Sequence, residues 1–146
     1  MQIELKSFKY SAFASQETAC FQAALWIDGK KRGTVRNDGH GGCNYFFPWE
    51  VEREINAWAK TLPPCSLGKM YGLIPMNAEI LISELVDDEI ERRHLKRRCL
   101  RVTMFRKANE GYERGEYTVI NEKFTPGLRA YILNRWPDAI ILNESV

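Results

Sequence analysis

Cys20-Phe21-Gln22-Ala23-Ala24-Leu25-Trp26-Ile27-Asp28-Gly29-Lys30-Lys31-Arg32-Gly33-Thr34-Val35-Arg36 is the stretch that decides the fold. Phe21, Ala23, Leu25 and Ile27 recur at a period of two, which in a strand sends them all to one face. Asp28-Gly29 then supplies two residues that tolerate positive φ, as a two-residue hairpin turn requires, so residues 30–36 are expected to return as the partner strand. Working outward, residues 2–10 also alternate, through Ile3, Leu5 and Phe8, with a slip of register near Ser7. Residues 43–47 form a short aromatic strand candidate that stops at Pro48.

Beyond this the period changes. Val51, Ile55, Trp58 and Leu62 follow helical spacing, with Glu50, Glu52 and Glu54 near the positive end of the macrodipole, and Pro63-Pro64 closes a helix over 49–62. Residues 63–76 hold prolines and glycines and form a loop-like excursion whose Leu67, Met70, Tyr71, Leu73 and Ile74 need cover. Asn77 suits the N-cap of a second helix over 77–96, carried by Ile82, Val86 and Ile90. Residues 100–106 and 116–120 read as strands joined by a turn at Gly111 and Gly115, and Thr125-Pro126 opens a third helix through 136. Residues 139–142 can end the chain as a strand. Strands, helices, strands, helix, strand is a segregated order: it predicts an α+β fold, a mostly antiparallel sheet covered by about three helices.

The chain has 146 residues, the size of one ordinary domain over 1–146. Apolar residues make up 45% and charged residues 27%, which excludes disordered and fibrous classes. A net charge of +2 is too mild for bulk charge to drive the chain onto nucleic acid or an anionic membrane. No apolar run nears the length of a membrane span, and Met1-Gln2-Ile3-Glu4-Leu5-Lys6 lacks the apolar core of a secretory signal. A cytoplasmic location is therefore expected, with Cys20, Cys43, Cys65 and Cys99 reduced.

The segment Asn37-Asp38-Gly39-His40-Gly41-Gly42 is the most distinctive chemistry in the chain. Without Cβ atoms in the way, successive N–H groups can converge on an anion, and Arg36 and Arg101 can add charge-assisted contacts. No Gly-Lys-Ser/Thr follows it, and no helix opens directly after it, so it is neither a Walker loop nor a dinucleotide fingerprint. The same residues also suit a wide turn built from types that accept left-handed conformations. Arg92, Arg93, Lys96, Arg97, Arg98 and Arg101 form a basic cluster, which either holds phosphate or is the self-paired basic end of a helix that begins acidic. His40 and His94 lie far apart with no metal-ligand spacing, so no metal, cofactor or catalytic residue is assigned. The run Tyr45, Phe46, Phe47 and Trp49 is weighed as core ahead of a stacking surface, and Trp58, Phe105 and Trp136 as core.

Ser15-Gln16-Glu17-Thr18-Ala19-Cys20-Phe21-Gln22-Ala23, the Asp28-Gly29-Lys30-Lys31 turn and the 37–42 segment together resemble a family of small proteins carried by phages and mobile plasmids. The resemblance implies a cytoplasmic accessory protein of a mobile element that counters host defence. It does so by sequestering a nucleotide-type signal or by masking a defence protein. The expectation is thus a non-enzymatic binder of a small phosphorylated ligand, at Arg36, Asn37, Asp38, Gly39, His40, Gly41, Gly42 and Arg101. The alternatives are a protein–protein inhibitor and a minor phosphoesterase or nuclease. Nucleic acid and membrane are not expected partners; self-association is.

Overall fold

The computed structural model describes residues 1–66, 69–108 and 116–146. Among the described residues it is an α+β structure of three α-helices and antiparallel sheets. The chain separates into two compact units, Met1–Asp87 and Asp88–Val146.

The first unit is built on a four-stranded sheet in the order β1 (Ile3–Ser11), β2 (Cys20–Ile27), β3 (Lys30–Asp38), β4 (Tyr45–Phe47). The hairpin stands where its sequence puts it: Asp28 and Gly29 take φ of 48° and 76°, and Ile27 pairs with Lys30. The Asp28 carboxylate also accepts from the Gln2 N–H at 2.7 Å, fastening β1 to the turn. The slip near Ser7 is a bulge, with Ser7 at φ 50° and the register shifting between Lys6 and Lys9. That extra residue lets Phe8 turn inward while Lys6 and Lys9 both face outward. A second shift, between Leu25 and Trp26, leaves Gly33 where a Cβ would lie 2.2 Å from the Phe47 carbonyl oxygen, so only glycine lets β4 close on β3 here.

Phe8, Phe21, Ala23, Leu25, Ile27, Val35 and Phe46 are buried from the sheet. Helix α1 (Glu50–Ala59) buries Val51, Ile55 and Ala59, and hydrogen-bonded turns carry the chain on to Leu62. The excursion holds two strands that sequence periodicity does not reveal, β5 (Cys65–Ser66) and β6 (Leu73–Ile74); Leu67 lies outside the described residues. Met70, Tyr71 and Leu73 stay exposed there. Helix α2 (Ala78–Arg98) starts from Asn77, whose side chain accepts from the Ile80 N–H at 2.9 Å. Ile82 and Val86 bury its first half, and the Ala78 N–H is held by the Asn56 side chain of α1.

In the second unit, β7 (Thr103–Arg106) lies between β8 (Thr118–Ile120) and β9 (Ile140–Ile141). Thr103, Met104 and Phe105 are fully buried, as the central position demands. The strand is shorter than the 100–106 expected, because hydrogen-bonded turns at Arg101 and Val102 extend the end of α2. Asn143 closes that end: its amide donates to the carbonyls of Cys99 and Val102, and its oxygen accepts from the Met104 N–H. Helix α3 (Pro126–Arg135) begins at Thr125, which accepts from the Leu128 N–H, with proline in the first turn. Ile132, Phe105 and Ile141 form its core, against which Trp136 packs. The expected turn at Gly111 and Gly115 lies outside the described residues. All four cysteines are free, and Cys43 is exposed.

Candidate functional site

The glycine segment is knitted to its surroundings by the side chain of Asn37, which is buried. Its oxygen accepts from the Gly39 N–H at 2.9 Å and from the Thr18 hydroxyl at 2.7 Å. A backbone N–H can only donate, so this bond fixes which end of the amide is oxygen. The nitrogen then donates to the Gly42 carbonyl and to Asn44 Oδ1. Opposite, the Gly39 carbonyl accepts from the N–H groups of Gln16, Glu17 and Thr18. Gly39 has φ 83°, and a Cβ there would meet the Ala14 carbonyl oxygen at 2.2 Å, so the residue is required both by conformation and by space.

This arrangement leaves the segment little capacity as an anion cradle. The Gly39 and Gly41 N–H groups already donate, to Asn37 and to the Thr18 hydroxyl. The Glu17 carboxylate sits over Gly41, 2.5 Å from where a Cβ would stand, and would repel an anion. Behind the segment, a hollow of about 160 Å³ is lined by Thr18, Asn44, Glu79, Ser83 and Asp87. The Glu79 carboxylate accepts from the Asn44 N–H with both oxygens. The Asn44 side-chain nitrogen is buried there without a partner among the described residues.

The expected site residues divide. Asn37 and Gly39 are buried; Arg36, Asp38, His40, Gly41 and Gly42 are exposed on the first unit. Arg101 belongs to the second unit, in a turn instead of a strand, where it lines a hollow of about 250 Å³ with Arg97, Arg98 and Val102. The basic cluster divides too. Arg92 and Arg93 both grip Glu89, at 2.8 and 2.6 Å. The hydrogen bond from Arg92, ahead of that from Arg93, holds the Glu89 carboxyl below its ordinary range against the opposing effect of burial.

Around Arg36 the sheet gathers residues that lie far apart in sequence. Register places Lys9, Gln22, Arg36 and Tyr45 side by side in one row across all four strands. Lys6, Ala24, Thr34 and Phe47 form the next row, and Trp26 stands beyond it between Glu4 and Lys31. Neighbouring strands lie about 4.8 Å apart, so each row is a ladder of adjacent side chains. A hollow of about 260 Å³ opens on this face between Lys9, Ser11, Cys20, Gln22, Arg36 and Asp38. The Arg36 guanidinium reaches Asp38 at 3.3 Å and lies over the Tyr45 ring. Both partners of that ion pair are 58% exposed, so it is weak and readily exchanged.

Tyr45, Phe47 and Trp49 correct the core assignment: they are 60%, 77% and 57% exposed, and only Phe46 is buried. For Tyr45 and Phe47 the cause is the period of two in β4, which can bury only its middle residue; Trp49 lies beyond the strand, at the start of α1. The alternation was present in the sequence, but a run of aromatics matches either face equally well.

No protein-family model, curated protein or solved structure matches the chain. Among the described residues, no group of three or more His, Cys, Asp or Glu is gathered to hold a metal, and no helix is long and apolar enough to cross a membrane.

Proposed function

We propose that the protein binds a small phosphorylated, nucleotide-type ligand without turning it over, on the outer face of its four-stranded sheet. The observation that carries this reading is the row Lys9, Gln22, Arg36 and Tyr45. Two cations flank an amide, beside an exposed aromatic ring and a hollow between the strands. The cations suit a phosphate, each charge-assisted contact contributing about 1.5–3 kcal/mol. Tyr45 offers a face on which a base can stack, and Gln22 an amide that can both donate and accept. Of the expected residues, Arg36 and Asp38 line the hollow of this proposed site. The glycine segment becomes the buttress that holds the end of β3, and Arg101 lies outside it.

Within a mobile-element accessory protein, such binding sequesters a nucleotide signal and so blunts a host defence. The exposed Phe47 and Trp49 also suit a protein surface, which is the reading of a protein–protein inhibitor. A thermal-shift panel of linear and cyclic nucleotides separates the two. A ligand at 100 times its dissociation constant stabilises the fold by about 2.7 kcal/mol, or several degrees. An inhibitor of a protein shows no shift with any of them.

A further inference from the structure

The sheet face repeats its chemistry beyond the row that one nucleotide needs. Lys6 lies 4.0 Å from the Trp26 ring and Arg36 lies 5.4 Å from the Tyr45 ring, so a cation caps an aromatic at two places on this face. A third such pair, Arg53 over Trp49 at 5.1 Å, follows directly in the chain. The row next to Tyr45 adds Lys6 at one edge and Phe47, 77% exposed, at the other.

From this repetition we infer that the face binds single-stranded nucleic acid, several nucleotides at a time. The inference rests on the reading of the Lys9–Tyr45 row as a nucleotide site and extends it along the strands. Successive rows stand two residues apart along β2, β3 and β4, about 7 Å, and are bridged on β1 by the bulge between Lys6 and Lys9. Adjacent bases can therefore stack on Tyr45 and Phe47 while their phosphates pass Lys9, Arg36 and Lys6. An exposed cation–π contact is weaker than a base stacked on the same ring, so an incoming base displaces Arg36 from Tyr45 and frees the guanidinium for a phosphate. A duplex does not fit this chemistry. Its base faces are already stacked, and the sheet presents neither a helix nor a ribbon to a groove. The net charge of +2 does not reveal this surface, where Lys6 and Arg36 stand in exposed ion pairs with Glu4 and Asp38 that a phosphate can replace.

The test is fluorescence anisotropy of labelled oligodeoxythymidylates and oligouridylates of increasing length, with thymidine and uridine monophosphates as competitors. Affinity is expected to rise with length over the first few nucleotides. It is expected to fall with salt at a logarithmic slope of about −2, from three cations at about 0.7 each. Phe47→Ala, at an exposed position, is expected to weaken the oligonucleotides about ten-fold while leaving monophosphate binding unchanged. If oligonucleotides bind no tighter than monophosphates, or Phe47→Ala changes nothing, the inference is overturned and the single-nucleotide reading stands. If neither class of ligand binds, both are overturned.

Discussion

Arg36 on β3 and Tyr45 on β4 face each other across the sheet, the guanidinium carbon 5.4 Å from the ring centroid. Each is exposed, so neither holds the fold together, and the pair is free to be rearranged by a ligand. Tyr45→Ala should therefore leave the melting temperature almost unchanged, within about 0.5 kcal/mol. The same change should weaken a nucleotide ligand about ten-fold, since a stacked base contributes about 1–3 kcal/mol. Paired melting and calorimetric titrations of the variant check both halves of that expectation.

Asn37 is the opposite case. Its side chain makes four hydrogen bonds, to Gly39, Thr18, Gly42 and Asn44. Asn37→Ala strands several of these buried groups and should destabilise the first unit by about 3 kcal/mol. Asn37→Asp should also destabilise it, because a carboxylate oxygen would then face the Gly42 carbonyl and Asn44 Oδ1. Chemical denaturation of both variants measures this.

Gly39 and Gly42 share a positive φ, at 83° and 93°, but not a neighbourhood. A Cβ on Gly39 meets the Ala14 carbonyl oxygen, whereas one on Gly42 meets nothing within 4 Å. Gly42→Ala should show only the strain of its backbone, about 1 kcal/mol. Gly39→Ala should cost more by a further 1–3 kcal/mol, roughly the penalty of overpacking. Equal losses in denaturant midpoint would show that the loop yields at Ala14.

What the sequence disclosed and what it withheld follow from the range of each interaction. Asp28-Gly29, Asn77 and Thr125-Pro126 act within a few residues, and each forms the turn or cap that its chemistry dictates. The bulge at Ser7 was visible as a break in alternation. The outward aim of Tyr45 and Phe47 was not, because it is settled by the neighbouring strand. Nor could spacing tell that Lys9 joins Arg36 or that Arg101 belongs to a different unit: cross-strand register is a property of the folded sheet. The β5–β6 pair is too short to leave a period at all.

Two titrations probe the second unit. Tyr117, half-buried, donates to Glu91; burial first and that hydrogen bond second push its phenol above the ordinary value. A raised value means stability that is fully present below the ordinary value of 10.0 and lost as pH climbs through the raised one. Tyr117 should therefore ionise above the ordinary phenol value in an ultraviolet pH titration, and Tyr117→Phe should remove that late step. Glu89 is lowered, so its contribution is present above its ordinary 4.5 and lost as pH falls through the lower value. Glu89→Gln should flatten the acid limb of the stability profile.

Met70, Tyr71 and Leu73 expose 87%, 69% and 70% of their surface beside the short β5–β6 pair. An apolar patch at a sheet edge favours association of two copies. Light scattering at rising concentration should report a mass above the 17.0 kDa of one chain, and Tyr71→Lys with Leu73→Lys should return it to that value.

The most direct test of the account is a nucleotide titration of the native chain beside a Lys9→Glu, Arg36→Glu double variant. Both positions are exposed, so the unliganded melting temperatures should agree. At least one nucleotide is expected to raise the native melting temperature by several degrees at saturation, and the double variant to lose the shift. A native chain unmoved by every nucleotide at millimolar concentration, or a double variant that shifts as much as the native chain, would contradict it.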